Sequence, residues 1–192
     1  MQFTELLAFL AVFVIIALAV GVALWLRSRH AHRSHQLREG FGPEYDRVVE
    51  RYGDRSRAER ELAARERRVR KLDIRLLSPD ERDRFGGAWS EVQRRFVDDP
   101  HGAVGEAHRL VKSLMATRGY AIEDFEQRVA DLSVDHAGVV EHYRAARILA
   151  RTNEAGNAST EDLRQAMVHY RILFADLLQA YAPFRAFQEA RT

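Results

Sequence analysis

Leu6 to Leu26, LLAFLAVFVIIALAVGVALWL, constrains this chain more than any other stretch. It holds twenty-one residues without a charge, an amide or a proline. At 1.5 Å per helical residue it reaches ~30 Å, the thickness of a bilayer's hydrocarbon layer. A cleaved signal peptide is the rival reading. That would need a basic segment before the apolar run and a small-residue cleavage site after it. Met1–Glu5 carries neither Lys nor Arg, and the run ends in Trp25 and Leu26. The expectation is therefore an uncleaved transmembrane helix over 6–26, with a short external N-terminus over 1–5.

The flanks set its direction. Glu5 precedes the span, whereas Arg27, Arg29, Arg33 and Arg38 follow it with no acid until Glu39. The positive-inside rule places those arginines in the cytoplasm, and with them nearly the whole chain. Trp25 falls where an interfacial aromatic belongs. The expected location is a bacterial inner membrane, crossed once, N-terminus outside. The expected partners are the bilayer and either another protein or a second copy. Ala17/Gly21 and Ala19/Ala23 are small-xxx-small pairs that would let two spans approach closely.

Charge then bears on nucleic acid. The sequence pI is about 9.1. However, the chain nets +2 and residues 1–38, with four Arg and one Glu, net +3, so residues 39–192 net −1. A nucleic-acid-binding domain should carry its own basic face, so nucleic acid is an unlikely partner for the folded part. The juxtamembrane arginines are instead candidate lipid-binding residues, each worth ~1 kcal/mol near an anionic surface. His30, His32 and His35 lie among them. No second cluster completes a metal site, and the chain lacks cysteine, so no metal and no cofactor is expected.

Beyond residue 42 the pattern is all-α, a five- or six-helix cytosolic bundle. Residues 27–42 read as a basic linker, broken at Gly40-Phe41-Gly42-Pro43. Residues 43–77 read as one charged amphipathic helix and a connector. Tyr45, Val48, Val49 and Tyr52 form its apolar stripe; further on, Arg65 interrupts the Leu62–Val69 spacing, which points to a solvated helix. Residues 78–181 read as the bundle proper. Ser78-Pro79-Asp80-Glu81 opens one helix as a capping box, and Asp99-Pro100 opens the next. Gly119 closes the latter, and Ser159 with Asp162 caps the last. Gly86 and Gly87 are expected to permit close packing. Phe85, Trp89, Leu110, Tyr143 and Phe174 should share one core. Residues 182–192 form a tail.

Chemistry is sparse. Lys112-Ser113 lacks the glycine that a phosphate loop needs, and no zinc-protease, nucleophile-elbow or dinucleotide fingerprint occurs. The best polar cluster is Asp131, Ser133, Asp135 and His136, followed by Glu141 and His142. Carboxylates beside imidazoles could serve as an acid/base pair. Cap and first-turn positions explain Ser133, Asp135 and His136 without any chemistry. His108 and His169 are lone histidines near apolar faces. The expectation is a non-catalytic interaction or scaffold module, with a surface binder of anionic lipid or nucleic acid through the Arg-rich segments and an enzyme using the 131–142 cluster as alternatives.

Three stretches, LREGFGPEYDRVV (37–49), DLSVDHAGVVEHY (131–143) and STEDLRQAMVHYRILF (159–174), together resemble an uncharacterised family of bacterial single-pass membrane proteins with a helical cytosolic domain. The resemblance spans most of residues 37–178. It implies a bacterial setting and contributes no site residues.

Overall fold

The computed structural model describes residues 18, 20–22, 24–25, 27–29, 32–120 and 124–179. The chain divides into two compact units, residues 1–40 and 41–192. In the first, every described residue is helical. Leu18, Val20, Val22, Leu24 and Trp25 are all exposed there. Most of the expected span over 6–26 lies outside the described residues, as do the 1–5 terminus and the 182–192 tail. Among the described residues no helix is long and apolar enough to cross a membrane. The expected linker over 27–42 is a helix instead, at every described position from 27 to 40. Its break narrows to Gly42, the turn just before the next helix.

In the second unit every described element is a helix: α1 (Pro43–Tyr52), α2 (Arg55–Val69), α3 (Pro79–Asp98), α4 (Pro100–Thr117), α5 (Phe125–Asp135), a 3₁₀ turn (Ala137–Val139), α6 (Val140–Glu154) and α7 (Thr160–Gln179). That makes seven α-helices where five or six were expected. The stretch 43–77 is two helices because Gly53 ends α1 in the left-handed region (φ 64°) and donates to the Val49 carbonyl. Asp54 then caps α2 by accepting from the Arg57 N–H at 2.6 Å. Helices α1 and α2 form a hairpin, and α2 docks on α5. Helix α7 packs along both α4 and α6, and α3 lies against α4.

The start and stop signals act as their chemistry dictates. Ser78 and Glu81 cap each other's backbone N–H at 3.2 and 2.9 Å, and Asp99 caps Gly102. Ser159 and Asp162 do the same ahead of α7. One core gathers Phe85, Trp89, Val111, Leu114, Tyr143, Tyr170 and Phe174, with Leu110 packed against it. Trp89 stacks on Phe174 with ring centroids 4.7 Å apart. Each such side chain contributes ~2 kcal/mol of burial. Gly86 and Gly87 do not serve close packing, since a Cβ at either would meet nothing within 4 Å.

Candidate functional site

The α1–α2 hairpin is fixed to α5 and α6 by charge. Glu44, in the first turn of α1, is 2% exposed, and Arg65 of α2 is 5% exposed. The Arg65 guanidinium donates to Glu44 at 2.9 Å and to the Ser133 hydroxyl at 3.3 Å. Arg144 of α6 donates twice more to Glu44, at 2.7 and 2.9 Å. Burial by itself pushes the Glu44 carboxyl up. The hydrogen bonds from Arg144 and Arg65 outweigh that and hold it below its ordinary value. Helix α2 is therefore not the solvated helix that its charges imply. Ala58, Leu62, Arg65 and Val69 form a buried face. Arg65 takes its place because a carboxylate and a hydroxyl from other helices meet it.

The six candidate residues between 131 and 142 do not converge. Asp131 accepts from Arg68 and Gln127, both at 2.8 Å. Ser133 lies inside α5 and not at a cap; its hydroxyl donates to the Ala130 carbonyl one turn back. Asp135 also lies in that helix, at 3.4 Å from the Tyr120 hydroxyl. Helix α6 starts at Val140 with no side-chain cap, so the expected capping role fails for all three residues. The physical reason is that α5 runs on to Asp135, and His136 ends it by donating its backbone N–H to Leu132.

His136 bonds elsewhere than His142. The buried Arg118 guanidinium donates to His136 Nε2 at 3.1 Å and to the Leu177 carbonyl at 3.3 Å. Arginine has no acceptor, so Nε2 accepts and the Nδ1–H turns to Asp176 of α7. The imidazole thus relays a buried cation to a half-exposed carboxylate. His142 instead meets His169 of α7, Nδ1 to Nδ1 at 2.9 Å. Burial, then His142, lowers the His169 pKa. Glu141 is exposed and pairs with Arg47 and Arg144, each at 2.6 Å. Arg27, Arg29, Arg33 and Arg38 of the other unit are exposed, and Arg29 stacks its guanidinium over Trp25. Among the described residues no group of three or more acids or histidines is placed to hold a metal ion.

The hairpin and α5–α6 leave an open cleft of about 550 Å³. Arg47, Arg51, Arg65, Arg144, Arg147 and Arg151 line it, against Glu44, Glu50 and Glu126. Phe125, Val48 and Ile148 supply its apolar wall. The two rows follow from helical periodicity: 47 and 51 lie one turn apart on α1, and 144, 147 and 151 share one face of α6. Not one lining residue carries a hydroxyl, an imidazole or an amine. Sequence reasoning did not single out Glu44, Arg144 or Arg118. The i, i+3, i+7 arginines of α6 were the signal that could have found the cleft. No protein-family model, curated protein or solved structure matches the chain.

Proposed function

We propose that this chain is a single-pass membrane protein whose N-terminal segment anchors a non-catalytic, helical binding module in the cytoplasm of a bacterial cell. The module engages a partner, and the membrane supplies its location. The observation that carries the reading is the make-up of the cleft. It is wide enough for a ligand but holds only guanidiniums, carboxylates and apolar groups. General acid/base catalysis favours a group that titrates near the working pH, and Glu44 is held well on the ionised side. Such a site recognises charge and shape.

Two features support the anchor. Residues 6–26 carry no charge, and the described positions between 18 and 25 are helical with large apolar side chains in the open. Apolar residues exposed around a helix suit lipid. The exposed Arg27, Arg29, Arg33 and Arg38 then meet anionic headgroups.

Carbonate extraction of membranes from cells expressing the full chain tests the anchor, with protease treatment of intact cells testing its direction. The protein should stay in the pellet, with a C-terminal tag protected. Release into the supernatant, or cleavage of the tag from outside, would overturn the reading.

A further inference from the structure

We propose that the arginine cleft between α1, α5 and α6 binds a phosphomonoester group, with Arg51, Arg147 and Arg151 as its ligands and Phe125 and Ile148 as the seat for the apolar part of the same molecule. The inference rests on the reading of the chain as a binding module and gives that module a ligand class.

Three of the arginines are held by Glu44 and Glu141. Glu44 is occupied by Arg65 and Arg144, and Arg47 is held by both oxygens of Glu141. Arg51 faces Glu126 across 3.8 Å, with both side chains about two-thirds exposed. Arg147 pairs with an exposed Glu154 at 2.9 Å. Arg151 makes no ion pair among the described residues, its guanidinium lying 6.0 Å from the Phe125 ring centroid. Counting Glu141 and Glu154, which pair with its arginines, six arginines stand against five glutamates around the cleft, so one positive charge is in excess, and Arg151 is the arginine that no ion pair holds among the described residues.

Guanidinium is the group that matches a phosphate geometrically, two N–H donors to two oxygens, and it stays charged at any working pH. Arg51, Arg147 and Arg151 all line this one cleft, and a compact dianion can take donors from several guanidiniums at once where the spaced carboxylates of an acidic helix cannot. Ile148 is 65% exposed although it sits beside these cations. An exposed isoleucine next to arginines fits a ligand with a hydrocarbon or ring attached to its phosphate. Both a soluble organic phosphate and the headgroup of an anionic lipid have that chemistry.

The test uses full-length protein in neutral detergent, titrated calorimetrically with AMP and with phenyl phosphate. A second arm incubates it with phosphatidylcholine vesicles with and without phosphatidic acid. The Arg151→Gln and Arg51→Gln/Arg151→Gln variants are compared with Arg164→Gln, which alters an exposed arginine on α7 paired to Glu161. Saturable one-to-one binding should appear in one arm, and the cleft variants should weaken it by about tenfold or more per lost charge-assisted bond. Arg164→Gln should leave it unchanged. Binding to the soluble phosphates identifies a free ligand; binding only to phosphatidic acid identifies a lipid. No saturable binding in either arm, or binding that ignores the cleft variants, overturns the proposal. Uptake of a glutamate-rich peptide in place of the phosphates, with the same variant pattern, also overturns it while keeping the binding-module reading. Membrane fractionation is read separately, so failure of the anchor and failure of the ligand class are distinct results.

Discussion

Replacing Glu44 with glutamine tests the central electrostatic claim. The carboxylate accepts three charge-assisted hydrogen bonds, from Arg65 at 2.9 Å and from Arg144 at 2.7 and 2.9 Å. Glutamine keeps the shape but removes the charge, and it turns an amide donor toward guanidiniums that only donate. Breaking a buried pair by removing one partner costs about 3–5 kcal/mol. Arg144 retains Glu141 at 2.6 Å and has some access to water, so most of the loss falls on Arg65, whose side chain is 6% exposed. That argues for the lower end, about 3 kcal/mol. In a unit of about 150 residues this lowers Tm by roughly 6–12 °C. Thermal unfolding of the full chain in neutral detergent near pH 7, followed by far-ultraviolet circular dichroism, reads it directly. The Glu44→Leu/Arg65→Met double variant should recover to within about 1 kcal/mol of the parent, because it removes both buried charges together. A Tm for E44Q within about 2 °C of the parent would refute the reasoning. The pH dependence follows in sign. The folded carboxyl sits below its ordinary value of 4.5, so its stabilisation is complete above that value and disappears as the pH falls through the lowered one.

Three further expectations follow from single sites. Burial, and then Arg147 and Lys112, depress His108 from 6.5 to about 4. Protonation therefore favours unfolding, and stability should fall between pH 6.5 and about 4 by ~2–3 kcal/mol. His108→Gln should flatten this slope in Tm measured across that range, and an unchanged slope would count against the assignment. Gly86→Ala and Gly87→Ala should each stabilise by ~0.5–1 kcal/mol, since the added methyl meets nothing and helix propensity improves; a lowered Tm would show that α3 needs those glycines. Gly119→Ala should cost at least ~2 kcal/mol in the same assay, because φ is +95° and a Cβ there would overlap the Asp73 carbonyl oxygen. A neutral result would mean that the 72–77 connector moves aside freely.

What could be read from the sequence was local. Ser78 with Glu81, Asp99 with Pro100, Ser159 with Asp162 and the glycine at 119 mark helix ends through atoms within four residues of one another, so short spacing suffices. The shared core was also legible, because Trp89, Tyr143 and Phe174 recur at helical period on apolar faces. The charged part was not. Glu44 meets Arg65 across 21 residues of chain and Arg144 across 100, and no periodicity records which acid faces which base. An arginine between Leu62 and Val69 looks solvated until its partners are placed. Gly53-Asp54 did carry a stop and a start. It was masked by the dense charge on both sides, which resembles an uninterrupted surface helix. The cluster from 131 to 142 misled for the opposite reason. Its residues are adjacent in sequence yet diverge around a helix end, so that each joins a different neighbour.

Arg65 also has a consequence for how the hairpin finds its berth. Leucines tolerate sliding, because one greasy contact resembles the next. A guanidinium that must reach both a carboxylate on α1 and a hydroxyl on α5 admits a single alignment. Displacing α2 by one turn, about 5.4 Å, would strand it from Glu44 and Ser133 together. The buried cation works as a key, joining α2 to α1 and α5 at one register.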